Sequence, residues 1–210
     1  MKAADMKLGY LMVTSPVPNV YIGGLMVTDA RGLPVEFRYT EPIQPTKIQQ
    51  VLYGQVLSAY IKREVILETL LKSMESRFKC LLIEDEHFLD YPAKGYSIVR
   101  VATTKSAPLG EVGKTQEIAP GEVLLQITAE GNPIRIGLST VGPGKSKVPT
   151  ESATPAAGEA AERDVKPDAI SLLLEAGQAM DVTEPLKRIE RALEIICAEA
   201  GITQAAASAR

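Results

Sequence analysis

Apolar residues in this chain recur with two periods, and the element type changes where the period changes. Tyr21 to Thr28 (YIGGLMVT) is apolar at both parities, the pattern of a strand covered on both faces. Gly23 and Gly24 lie inside it, where glycine weakens a strand unless a bulge or a close approach requires it. Asp29-Ala30-Arg31-Gly32 then supplies a turn, with Asp opening it and a left-handed glycine closing it. Leu33, Val35, Phe37 and Tyr39 alternate with Pro34, Glu36, Arg38 and Thr40, so the next strand buries one face. Pro34 assigns it to a sheet edge or a strand start. Pro42 and Pro45 end it, and Thr46-Lys47-Ile48-Gln49 has the form of a capping box that starts a helix.

The period then lengthens. Ile48, Val51, Leu52, Val56 and Tyr60 share one side, and Leu67, Leu70, Leu71 and Met74 form a second stripe. The stripes are out of phase with Gly54 between them, which predicts a break between Gly54 and Glu64 and two helices. Leu8 to Thr14 reads as a short strand, as do Lys79 to Ile83 and Tyr96 to Thr103. Ala107 to Gly121 reads as a Gly/Pro-rich loop, and Glu122–Thr128 with Ile134–Thr140 as a hairpin. From Gly142 to Lys166 there is no Leu, Ile, Met or aromatic residue, the composition of a flexible linker. Asp168 to Ala179 suits a short helix. Thr183 and Pro185 open a better one, striped by Leu186, Ile189, Leu193 and Ile196 and stopped by Gly201.

Strands in runs around one helical block predict an α+β domain over residues 6–141. Its expected form is an antiparallel sheet of about six or seven strands with a helical pair packed on it. A disordered linker (142–166) and a C-terminal helical segment (167–201) with its amphipathic helix follow. The hairpin Gly24 to Gly32 leading into a helix resembles the opening of roadblock/longin and PAS-type domains. The stretches GGLMVTDARGLPVEFRYTEP, PTKIQQVLYG and ETLL resemble a family of uncharacterised bacterial proteins sharing G-G-x-x-x-T, L-P-x-E-F and L-Y-G. Neither resemblance implies functional residues.

Charge sharpens the picture only a little. Residues 1–141 carry 15 basic and 15 acidic side chains, and residues 142–210 carry 8 and 11, so the net −3 lies in the tail. A neutral body without a dense Lys/Arg cluster argues against nucleic acid as a partner. All aromatic residues fall between Tyr10 and Tyr96, so the second half must pack on aliphatics. Cys80 and Cys197 occupy unlike contexts and read as reduced thiols. No signal peptide and no run of ~20 apolar residues is visible, which predicts a cytoplasmic chain without a membrane partner.

Candidate chemistry is sparse. Gly142-Pro143-Gly144-Lys145-Ser146 resembles the end of a phosphate loop, but Ser139 stands where its first Gly is needed. Glu84, Asp85, Glu86, His87 and Asp90 form the densest polar cluster of the body, and it reads as a solvated turn. His87 is the only histidine, and Cys80 sits in an apolar context where thiols are inert. Arg38, Glu41 and Tyr53 could line a pocket where strand meets helix, or form a surface ion pair and a packed ring. No catalytic residue, metal ligand or cofactor site is assigned.

These readings favour a non-enzymatic adaptor or scaffold module that pairs with itself or a protein partner. Its binding residues would be Leu186, Ile189, Leu193 and Ile196 on a tethered helix that docks on its own sheet, a second copy or a partner, with Arg38, Glu41 and Tyr53 as a second candidate set. A PAS-like small-molecule sensor is the first alternative. An enzyme or metal-binding protein using the Glu84–Asp90 cluster is the second.

Overall fold

A computed structural model describes residues 6–93, 95–138 and 167–202. Eight strands form one sheet: β1 (Leu8–Thr14), β2 (Ile22–Thr28), β3 (Pro34–Tyr39), β4 (Cys80–Ile83), β5 (Ser97–Thr103), β6 (Thr115–Ala119), β7 (Glu122–Leu125) and β8 (Ile134–Leu138). Their spatial order is β3-β2-β1-β4-β5-β8-β7-β6. β1 pairs in parallel with β4, and β4 with β5, while every other pair is antiparallel. The expected antiparallel sheet of six or seven strands is therefore corrected to a mixed sheet of eight.

The reason lies in the connections. Antiparallel neighbours can be joined by a tight turn, whereas parallel ones need a crossover of about a dozen residues or more. The helical block between β3 and β4 is such a crossover and delivers β4 beside β1. The stretch from Glu84 to Tyr96, with a single short 3-10 turn at Glu86–Phe88, is the second. Roadblock and PAS-like meanders lack these parallel pairs in this reading, and that likeness does not hold. β6 lies in the segment expected to be loop; its side chains are nearly all exposed, so no apolar alternation announces it.

Helices cover both faces. On one side lie α1 (Lys47–Tyr53), α2 (Leu57–Tyr60), a π-helical segment Ile61–Leu67 and α3 (Glu68–Ser73). The capping box forms as expected: the Gln49 N–H donates to Thr46 Oγ1 (3.2 Å) and the Thr46 N–H to Gln49 Oε1 (2.8 Å). A 3-10 turn at Gly54–Val56, with Gly54 at φ 52°, supplies the expected break. On the opposite side lie α4 (Pro167–Gly177) and α5 (Glu184–Glu199). Leu11, Leu25, Ile61, Ile66, Leu67, Leu70, Leu81 and Ile83 belong to the core of the first side. Leu8, Tyr10, Ile22, Leu82, Val99, Leu173, Leu186, Ile189 and Leu193 belong to that of the second.

Gly23 and Gly24 explain how both layers close on the sheet. Side chains of consecutive strand residues point to opposite faces. A Cβ on Gly23 would overlap Ile66 of the π-helical segment, and one on Gly24 would stand 3.0 Å from Ile189 of α5. Each glycine thus admits one helical layer.

This arrangement corrects the docking-helix expectation. Leu186, Ile189 and Leu193 are buried against the sheet, with Ile196 packed at the margin of the same cluster. Arg188 ties α5 to the hairpin turn by donating from Nη2 to the Gly32 carbonyl (2.8 Å). The linker expected at 142–166 and the Gly142–Ser146 motif lie outside the described residues.

Candidate functional site

In open sheets with parallel strands, ligands sit outside the carboxyl ends of those strands. Here that end is notched. β4 is short: its last residue, Ile83, pairs with Leu11 of β1 and Arg100 of β5. β1 runs on through Met12, Val13 and Thr14, and β5 through Val101, Ala102 and Thr103. Glu84 to Phe88 therefore leave the sheet between two longer neighbours, and the charged residues gather there.

Asp85 is the best-held acid of the group. Its Oδ2 receives Lys62 Nζ at 2.6 Å, and its Oδ1 lies 2.7 Å from His87 Nδ1. It also caps the 3-10 turn by accepting from the His87 N–H (3.0 Å). Burial works to raise its carboxyl, but the Lys62 ammonium and the His87 bonds outweigh burial and hold it at about 2. Arg63, from the same helical segment as Lys62, donates from Nε (2.7 Å) and Nη2 to the His87 carbonyl. The turn is thus fastened to the helical layer by two cationic side chains.

Arg100 fastens the other flank. Its Nε donates to the Glu84 carbonyl (3.0 Å), while Nη1 reaches Glu122 Oε1 of β7 (3.1 Å) and lies 3.9 Å from Glu86. The register puts Gly137 between them, paired with Arg100 on one side and Glu122 on the other. A Cβ there would meet Arg100 at 3.2 Å, so the glycine clears the way for the guanidinium to span β8. Arg135 adds a second cation, 3.9 Å from Glu122. Next to Arg135 lies an open depression of about 430 Å³, lined also by Ala102, Thr103, Thr104, Lys105 and Ser106. Thr104 anchors its floor by donating to the Pro133 carbonyl (2.6 Å).

Glu84 itself turns toward α5. Burial raises its carboxyl pKa, the Glu190 carboxylate adds to the rise, and the Lys187 ammonium opposes it. Among the described residues, no group of three or more His, Cys, Asp or Glu side chains is placed to hold a metal ion.

The other sequence-selected residues do not converge here. Arg38 lies on the edge strand β3, paired with Glu36 (3.0 Å) and Glu75 (3.6 Å). Tyr53 stacks at 5.0 Å on Tyr60, and Glu41 is exposed in the β3–α1 loop. Lys62, Arg63, Arg100 and Arg135 carried no signal in the sequence. They are separated by up to dozens of residues, and only the crossovers bring them to one sheet end. Cys80 and Cys197 are buried and free, with burial pushing the Cys80 thiol to about 12.

No family model and no curated protein sequence matches the chain. Solved structures do. The chain is similar to human endonuclease V, with 13% identity over 93% of this chain and 86% of that one and a TM-score of 0.55. Endonuclease V of Streptomyces avermitilis matches at 11% identity over 65% of this chain and 66% of that one, with a TM-score of 0.42. Aquifex aeolicus Argonaute matches at 11% identity over 70% of this chain and 23% of that one, with a TM-score of 0.37. The expected adaptor is corrected on two grounds: its docking stripe is spent on its own sheet, and the fold is similar to that of human endonuclease V. The exclusion of nucleic acid, which rested on a neutral body without a dense Lys/Arg cluster, is also corrected: the fold is similar to that of human endonuclease V, and it brings Lys62, Arg63, Arg100 and Arg135 to one sheet end among the acids. No helix among the described residues is long and apolar enough to cross a membrane. The eight-stranded mixed sheet, with parallel β1, β4 and β5 at its centre, has an architecture similar to that of human endonuclease V.

Proposed function

We propose that this chain is a nucleic-acid-binding protein built on the endonuclease V scaffold, with its binding surface at the carboxyl end of β4 and β5. The observation that carries this reading is the near-full-length likeness to human endonuclease V. Fold alone does not fix function, so the site must supply the chemistry. Arg63, Arg135 and Lys105 line the notch and the adjoining depression, where cations meet a phosphate backbone by displacing its counterions. Thr103, Thr104 and Ser106 add small hydroxyl side chains suited to phosphate contacts. The buried free thiols support a reducing, cytoplasmic setting.

The test is fluorescence anisotropy with labelled single- and double-stranded DNA and RNA oligonucleotides across a salt series. Binding should weaken as salt rises, and Arg63→Ala with Arg135→Ala should flatten the slope. Because few cations face the surface, the slope should be shallow, about −0.9 per phosphate contact on duplex DNA. Absence of binding to all four nucleic acids at low salt would refute the reading.

A further inference from the structure

Nucleases that hydrolyse phosphodiesters with divalent ions hold those ions on oxygen donors, and two-metal sites clamp the attacking and leaving oxygens together. The residues of this chain do not fit such a centre. The central strands present no acid: β1 is Leu-Gly-Tyr-Leu-Met-Val-Thr and β4 is Cys-Leu-Leu-Ile. Of the acids beyond them, Asp85, Glu86 and Glu122 face fixed cations. Lys62 holds Asp85 at 2.6 Å, and Arg100 holds Glu122 at 3.1 Å with Glu86 at 3.9 Å. Arg135 stands on the second oxygen of Glu122. Glu84 and Glu190, from separate elements, lie in one another's field without an ion pair, and Lys187 lies in the same field.

A metal ion held by Asp85 or Glu122 would have to displace an ammonium or a guanidinium from its partner. Both belong to the framework: Lys62 and Arg63 fasten the 3-10 turn, and Arg100 spans β8 across Gly137. We infer that this chain engages nucleic acid without metal-assisted strand cleavage, with Lys62 and Arg100 standing as built-in cations among the strand-end acids. This rests on the nucleic-acid reading above. It makes the chain a protein that holds or reads a strand and leaves it intact.

The experiment uses the full chain with end-labelled DNA and RNA in millimolar Mg²⁺ or Mn²⁺ and in EDTA. Binding should be the same in metal and in EDTA, and the strands should remain whole. The thermal midpoint of the free protein should not move with either ion. Lys62→Met, which releases Asp85, should introduce a rise in midpoint with Mn²⁺ that the parent lacks. Arg100→Lys, which keeps a cation near Glu122, should not.

Metal-dependent cleavage lost in Glu84→Gln or Glu190→Gln would overturn the inference while leaving the nucleic-acid reading intact. So would a Mn²⁺-induced rise in the parent that disappears in those variants. Metal-dependent cleavage by the chain that persists in both variants would overturn it too, since the strand is then not left intact. If no nucleic acid binds, the proposed function fails, and the midpoint measurements still decide whether the notch takes a metal.

Discussion

Helices α1 and α5 both carry apolar stripes, and the structure treats them in opposite ways. In α5, Leu186, Ile189 and Leu193 are at most 1% exposed, packed on strands β1 and β2. In α1, Ile48, Val51 and Leu52 are 72%, 82% and 75% exposed, and no residue of the helix is buried. A stripe shows that a helix has a face to cover; it does not say which surface covers it. What differs is the receiving surface. β2 offers Gly24 and bare apolar positions to α5, whereas α1 makes its main contacts with the helical turns that follow it.

The sharpest way to break this comparison is truncation of matched side chains. Leu193→Ala should cost about 2–5 kcal/mol, from lost burial and the cavity left behind. Urea denaturation of both variants measures the contrast, because Leu52→Ala should stay within about 0.5 kcal/mol. Equal losses would mean that α1 is covered after all.

The next effect concerns the glycines that admit the helical layers. Gly23→Ala should destabilise by about 1–3 kcal/mol through overpacking against Ile66. Gly54→Ala acts differently: nothing lies within 4 Å of its added Cβ, and only the positive φ opposes it. The substitution at Gly23 should therefore be the costlier of the two by chemical denaturation.

The cap of α1 is a smaller effect. Thr46→Ala removes the bond to the Gln49 N–H and should cost about 1 kcal/mol. Since α1 buries no residue, the loss should appear as faster amide exchange confined to 47–53 and leave the global midpoint nearly unmoved.

A further effect, confined to acid solution, is a pH dependence at the notch. Asp85 is held at about 2, below its unfolded value near ~3.9. Its contribution is complete above that unfolded value and drains away as pH falls toward about 2. Asp85→Asn should remove part of the acid sensitivity in that window and none above it, as read from denaturation midpoints across pH.

Much of the local structure was legible. The strand Leu8–Thr14, the hairpin turn at Asp29–Gly32, the capping box at Thr46, the break after Gly54 and the stop at Gly201 all follow from side-chain chemistry within a few residues. The topology was not legible by the same means, because parallel pairing of β1 with β4 is decided by which crossover packs. One clue did point to it. Tyr21–Thr28 is apolar at both parities, and two adjacent glycines within it call for close neighbours on opposite faces. That demands two helical layers, and α5 supplies the second. The notch was legible only in half: the acids from Glu84 to Asp90 are adjacent in sequence, but Lys62, Arg100, Glu122 and Arg135 reach them through tertiary structure.

Hydrogen–deuterium exchange of the full chain, with and without a bound oligonucleotide, tests the account most directly. The amides of α5 should be among the slowest in the free protein and those of α1 among the fastest. On addition of the oligonucleotide, exchange should slow at Glu84–His87 and Thr103–Ser106, with α1 unchanged. Fast exchange along α5, or a footprint confined to the apolar face of α1, would contradict it.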